Sequence, residues 1–119
     1  MSSPELVTCL VADDHPAVLA MVCEYLGSNG IEIVGRAADG QEALEKLEMR
    51  KPQVALIDLR MPRLGGIEVA RRAGRSTPET AVLLYTGYGD RALLTEALLL
   101  AFGEWDQEFR AARAIQENR

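Results

Sequence analysis

Four polar residues of this chain each stand directly after a run of apolar residues, and their types suit phosphoryl chemistry. Asp13 and Asp14 follow one run, Asp58 another and Thr86 a third. Three carboxylates gathered in one place repel one another, so their ionised forms need a counter-charge, which Mg²⁺ supplies through oxygen ligands. An aspartate beside that cation is a potential nucleophile towards a phosphoryl donor, and a threonine hydroxyl can donate to a phosphoryl oxygen.

The elements that must position these residues are predicted by the apolar pattern. Runs at residues 6–12, 31–35, 54–57 and 81–85 are typical of buried strands. Helices are predicted from residue 16 to residue 27, from a capping-box pattern at 39–42, over 67–73, and from about residue 91. This alternation indicates an α/β fold with a doubly wound parallel sheet, whose ligand site lies beyond the carboxyl ends of the strands. The polar residues fall at those ends.

Each of these residues also has an ordinary structural explanation. An Asp-Asp pair before a helix, such as Asp13 and Asp14, is often an N-cap. A lone aspartate after a strand is usually a turn residue, and a threonine at a strand end is a good strand former. The joint pattern favours a site, because the predicted topology places all of these residues at one edge of the sheet.

Composition limits the classes of function. A length of 119 residues suits a single domain, here 1–119, and a net charge of −5 argues against direct nucleic-acid binding. The longest apolar stretch, residues 97–102, is too short to cross a membrane, and the first residues lack the features of a signal peptide. Cys9 and Cys23 lie in apolar segments and are predicted to be reduced core thiols. We expect a cytoplasmic protein.

Four segments of the chain resemble bacterial response-regulator receiver domains of two-component systems. They are VADDHP at 11–16, ALIDLRMP at 55–62, GGIE at 65–68 and LLYTGY at 83–88. The first is similar to the NarL/FixJ subgroup, whose receivers precede a helix-turn-helix output domain. The resemblance covers residues 6–99 and implies a flavodoxin-like receiver fold. It also implies a phosphoprotein that acts as a switch in phosphorelay signal transduction and transcription regulation, and not an enzyme.

The resemblance also implies a role for each site residue. Asp58 would accept a phosphoryl group from a histidine kinase. Asp14 would bind Mg²⁺ directly and Asp13 largely through water, and the backbone carbonyl of Arg60 would complete the protein's share of the coordination. Thr86 would be the switch residue, moving towards the phosphoryl group.

Three further residues flank the expected site. His15 falls at a position that family members occupy variably, and we expect a loop or cap residue there, not a catalytic base. The side chains of Arg60 and Tyr88 lie at positions that tune the phosphoryl lifetime in such receivers.

After residue 99 the resemblance fails. A receiver should continue with a fifth strand ending in a phosphate-binding lysine, but no lysine follows Lys51. Residues 100–119 form an atypical tail, and the pattern predicts a missing or altered fifth strand and one long helix over 91–116, weakened at Gly103. The helix carries an apolar stripe of Leu94, Leu98, Phe102 (or Ala101), Trp105, Phe109 and Ala112. That stripe could cover the fourth strand or form a homodimer. Open alternatives are an ordinary fifth helix and a foreign or frame-shifted tail.

Three functions are compatible with the sequence. The first is a working phosphoacceptor switch that uses Mg²⁺ and a histidine kinase. The second is a degenerate receiver that serves as a phosphorylation-independent interaction or dimerisation module, which the absent lysine favours. The third is a small phosphohydrolase, but such enzymes carry a second aspartate two residues after the nucleophile, where this chain has Arg60. The three aspartates favour the first.

Overall fold

The computed structural model describes residues 6–85. Seven elements follow in the order β1 (Thr8–Ala12), α1 (Pro16–Ser28), β2 (Glu32–Ala37), α2 (Gly40–Arg50), β3 (Val54–Asp58), α3 (Gly66–Ser76) and β4 (Ala81–Tyr85). Every strand and helix predicted within this range is present. Thr86, Tyr88, the predicted long helix and the altered fifth strand lie outside the described residues.

The four strands form one parallel sheet in the order β2-β1-β3-β4. This order confirms the doubly wound sheet and matches the first four strands of the flavodoxin-like arrangement. The chain proceeds from β1 outward to β2 on one side and from β3 outward to β4 on the other. The connections therefore diverge between β1 and β3, which leaves a crevice at the carboxyl ends of these two strands.

The core is built on β1 and β3, whose apolar residues are buried on both faces of the sheet. One face of the sheet packs with α2 and α3 in a cluster of Leu10, Ala12, Ala37, Ala43, Leu44, Leu47, Ala55, Ile57, Val69 and Ala73. Cys9 and Val11 alternate with Leu10 and Ala12 along β1 and so face the opposite side. Cys9 and Cys23 are buried and free, as predicted. Among the helices of residues 6–85, none is long and apolar enough to cross a bilayer.

Local sequence explains the start of α2 and the true length of β2. Asp39 is the N-cap of α2, and its side chain accepts a hydrogen bond of 2.9 Å from the Glu42 N–H. The Glu42 side chain in turn accepts from the N–H of Ala38, so the predicted capping box is present in a form displaced by one residue. β2 continues to Ala37, past the predicted end at Gly35, because Gly35 stays in the strand opposite Leu10.

Candidate functional site

The site lies where β1 and β3 end, in the crevice between them. Asp13 and Asp14 directly follow β1, and Asp58 is the last residue of β3. Ligand atoms of Asp13, Asp14, His15 and Asp58 all lie within 4.8 Å of one another. The fold therefore brings together three of the four residues that the apolar runs singled out, together with a histidine that was expected only to cap a helix or lie in a loop.

Asp13 is held from two sides. Only 1% of the Asp13 surface is exposed. Its Oδ1 accepts a hydrogen bond of 2.9 Å from the His15 N–H and lies 3.2 Å from His15 Nδ1, while its Oδ2 accepts from the Tyr85 hydroxyl. The N-cap of α1 is His15, and α1 has no side-chain cap. The alternative that the Asp-Asp pair caps this helix is therefore wrong.

Asp14 carries a buried oxygen that accepts no hydrogen bond from residues 6–85. Its Oδ1 is buried and makes no hydrogen bond to any described residue. His15 Nδ1 lies 3.0 Å from this oxygen, an ion-pair distance, but without the alignment of a hydrogen bond. A buried carboxylate oxygen that is shielded from water and accepts no hydrogen bond is costly. A cation bound between the carboxylates would remove that cost, so the donor set fits Mg²⁺, which prefers oxygen ligands.

Asp58 is nearly inaccessible, with 4% of its surface exposed. Burial, and after it the charge of Asp13, raises the pKa of the Asp58 carboxyl to about 6. The N–H of Arg60 lies 3.4 Å from Asp58 Oδ1 and partly offsets this effect. The backbone at Asp58 is fixed by close packing, because a Cβ on Gly66 would lie 2.5 Å from the Asp58 carbonyl oxygen. Only glycine allows α3 to begin so close to the nucleophile candidate.

His15 is the N-cap residue of α1 and lies beside the carboxylates. Its side chain is 64% exposed. The hydrogen bond to Asp13, and after it the charge of Asp14, raises the pKa of the imidazole above its ordinary value. A protonated His15 is thus a partial counter-charge for the cluster in the absence of a metal ion.

Tyr85 is the site residue that sequence reasoning missed. It ends β4 and pairs in register with Asp58, and its hydroxyl reaches Asp13. Burial, and after it the hydrogen bond to Asp13, raises the pKa of the phenol, so the hydroxyl keeps its proton and donates. The available signal was a tyrosine at the end of an apolar strand, because a buried tyrosine hydroxyl requires a polar partner. Thr86, the predicted switch residue that follows β4 in the sequence, lies outside the described residues.

Taken together, the site combines carboxylates that could hold a cation with a buried carboxylate at a strand end. Asp58 offers an oxygen nucleophile, and Asp13 and Asp14 offer charge for a divalent cation beside it. Such an arrangement can accept a phosphoryl group on Asp58, because phosphoryl transfer depends mainly on positioning and on neutralising negative charge.

Known proteins similar to this chain agree on one family. The family described as "Response regulator receiver domain" matches residues 9–104. The chain is 38% identical over 96 residues to the transcriptional regulatory protein NarL of Mycobacterium tuberculosis, covering 80% of this chain and 44% of NarL. It is 37% identical over 90 residues to the transcriptional regulatory protein YhcZ of Bacillus subtilis, covering 75% of this chain and 42% of YhcZ.

A solved receiver domain agrees with this family. The signal receiver domain of the response regulator NarL from Mycobacterium tuberculosis superposes with a TM-score of 0.66 and 41% identity, covering 81% of this chain and 78% of that domain. The chain spans less than half the length of the curated relatives named above.

Proposed function

Because the chain belongs to the response regulator receiver domain family, we propose that it is a phosphoacceptor switch of a two-component system, with Asp58 as the acceptor. The observation that carries the proposal is the meeting of Asp13, Asp14 and Asp58 within 4.8 Å at the ends of β1 and β3. The aspartate at the end of β3 supplies an oxygen nucleophile, and the two acidic residues after β1 supply ligands for a divalent cation that neutralises phosphoryl charge.

The chemical step follows from the position of Asp58. One oxygen of its ionised carboxylate forms a bond to phosphorus while the bond from phosphorus to the donor breaks, which leaves an acyl phosphate and a released donor. A histidine kinase is the donor that we propose, with phosphohistidine as the bond that breaks. Because the carboxylate must be ionised to attack, its raised pKa of about 6 leaves it competent at neutral pH.

Mg²⁺ is the cofactor that the residues fit. Asp14, through its Oδ1, and Asp58 would hold it directly. We propose that Asp13 holds it largely through water, because a hydrogen bond from the protein to each Asp13 oxygen leaves fewer lone pairs for a direct bond to the metal. We also assign the backbone carbonyl of Arg60 to this set. When bound, the ion supplies positive charge that neutralises the phosphoryl oxygens and the three carboxylates.

The proposal extends beyond the described residues in two respects. Thr86 follows Tyr85 directly in the sequence, and we propose that its hydroxyl is the switch that responds to the phosphoryl group. Because the relatives are transcriptional regulatory proteins by name, we propose transcription regulation in the cytoplasm as the output to which the receiver contributes.

Intact-protein mass spectrometry tests the proposal. The protein is incubated with acetyl phosphate and Mg²⁺, with parallel samples that contain EDTA. We expect one added phosphoryl group in the Mg²⁺ sample, none with EDTA and none in Asp58→Asn. Glu48→Gln, which changes an exposed carboxylate of α2 in the same way, should label like the wild type. Absence of labelling in the wild type, or labelling that persists in Asp58→Asn, would sink the proposal.

A second function is favoured by a specific observation, the absence of any lysine after Lys51. Without a lysine ammonium from that part of the chain, the phosphorylated state would lose a stabilising partner, and the chain would act as an interaction or dimerisation module that does not depend on phosphorylation. Sedimentation of the phosphorylated and unphosphorylated protein distinguishes the two. A homodimer with the same dissociation constant in both samples supports the module, and a dimer that tightens on phosphorylation supports the switch.

A further inference from the structure

Tyr85 connects β4 to the opposite side of the site. Its hydroxyl donates to Asp13 Oδ2, although the two residues are 72 positions apart and β3 lies between their strands. The phenol therefore crosses the carboxyl end of β3, where Tyr85 is the register partner of Asp58. No other described side chain donates a hydrogen bond to this oxygen.

The hydrogen bond from Tyr85 holds the second carboxylate oxygen of Asp13. The side chain of Asp13 has no exposed surface, so water does not stabilise its charge. The His15 N–H fixes Oδ1 from the α1 side, and the Tyr85 hydroxyl fixes Oδ2 from the β4 side. With one protein donor on each oxygen, the carboxylate plane cannot rotate without losing a hydrogen bond.

We propose that Tyr85 is a positioning residue for the metal site, and that its hydroxyl orients Asp13 so that the carboxylate cluster binds a divalent cation. The inference rests on the proposed Mg²⁺ site and adds a residue of β4 to it. Groups that orient the ligands of a metal usually change its affinity by about 10- to 100-fold when they are removed.

A purely structural role for Tyr85 makes a different prediction. If the hydroxyl only satisfies a buried carboxylate, its loss lowers the stability of the protein and leaves the affinity for Mg²⁺ unchanged. The two roles are therefore separated by measuring the dissociation constant of the metal alone, with no phosphoryl donor present.

The experiment is a calorimetric titration of the full chain with Mg²⁺. Tyr85→Phe removes the hydroxyl and keeps the ring, and we expect Mg²⁺ to bind roughly 10-fold more weakly or worse. Tyr25→Phe is the matched control, because Tyr25 lies in the last turns of α1, at the opposite end of that helix from His15. The control should bind like the wild type. Circular dichroism establishes that each variant is folded before titration.

A double-mutant cycle tests whether Tyr85 acts through Asp13. In the Asp13→Asn background, Tyr85→Phe should cause no further loss of affinity. A loss of equal size in both backgrounds overturns the inference, as does an unchanged or tighter dissociation constant in Tyr85→Phe alone.

A measurement on the wild type does not depend on the folding of any variant. In protein with ring-labelled tyrosine, the NMR signal of Tyr85 should shift during the titration and saturate with the calorimetric dissociation constant, and a signal that does not move overturns the inference. If the wild type binds no Mg²⁺ at all, both the inference and the proposed cofactor fail. If the wild type binds Mg²⁺ and Tyr85→Phe binds it equally well, only the role of Tyr85 fails.

Discussion

Replacing Asp58 with asparagine should stabilise the protein in the absence of divalent cations. The carboxylate of Asp58 is buried next to Asp13, and its pKa in the folded protein is about 6, against 3.8 for an ordinary aspartate. Because the folded pKa is the higher one, the folded state binds more protons than the unfolded state between about pH 4 and pH 6. The stability of the wild type therefore falls as the pH rises through that window, and Asp58→Asn removes this loss.

The size of the effect follows from the pKa difference. An increase of about two pKa units corresponds to about 3 kcal/mol of unfavourable free energy for the ionised form at neutral pH. We expect about 2 kcal/mol of this to appear as added stability in Asp58→Asn, because the asparagine amide remains polar and buried and must itself be hydrogen-bonded. Below about pH 4, where Asp58 is protonated in both states, only the cost of the buried amide remains, so Asp58→Asn should be less stable than the wild type by about 1 kcal/mol.

Urea unfolding followed by circular dichroism measures this difference in buffers that contain EDTA, from about pH 4 to about pH 8. Glu48→Gln is the matched control, because Glu48 is exposed on α2, and it should change the free energy of unfolding by no more than about 0.5 kcal/mol. Adding Mg²⁺ should stabilise the wild type more than Asp58→Asn and shrink the difference. If Asp58→Asn is no more stable than the wild type at about pH 8, or if the difference in stability is the same at both ends of the range, the raised pKa of Asp58 is refuted.

Three further outcomes rest on individual contacts. The pKa of the His15 imidazole, measured by NMR, should lie above its ordinary value. It should fall when Mg²⁺ neutralises the neighbouring carboxylates, and an unchanged pKa on addition of Mg²⁺ would contradict this prediction. The stability that His15 contributes should be complete below its unfolded pKa of about 6.5 and should disappear as the pH rises through its higher folded pKa. Gly66→Ala should lower the free energy of unfolding in urea by about 1–3 kcal/mol, because the added Cβ would meet the Asp58 carbonyl oxygen. Gly74→Ala, in open space on the same helix, should raise it by about 0.5–1 kcal/mol. Equal effects would rule out the close packing at Gly66. Asp39→Ala removes the N-cap of α2 and should lower the stability of the protein by about 1 kcal/mol. Asp39→Asn keeps an acceptor and should lower it less. The opposite order of stability in thermal unfolding would count against the cap.

Much of the fold and part of the site could be predicted from the local pattern of residue types. The strands were predictable because apolar runs bounded by turn signals have the length of a buried strand and are shorter than a typical helix. β3 and β4 begin where expected. The order of elements implied a parallel sheet, and the topology rule then placed Asp13, Asp14 and Asp58 at one edge. The boundaries were less predictable, because packing of Gly35 against Leu10 keeps β2 in the sheet beyond a residue that commonly ends strands.

The sequence by itself thus determined which residues could do chemistry and on which strand ends they lie. Only the tertiary structure decided how they face one another. The roles of the His15 imidazole and the Tyr85 hydroxyl depend on side-chain directions after the sheet has formed. The Tyr85 contact joins residues 72 positions apart, a separation with no periodic signature. The Asp14 oxygen that accepts no hydrogen bond from the described residues and the raised pKa of Asp58 also arise from burial between packed elements. The removal of water from a carboxylate is a property of the assembled fold and not of its neighbours in sequence.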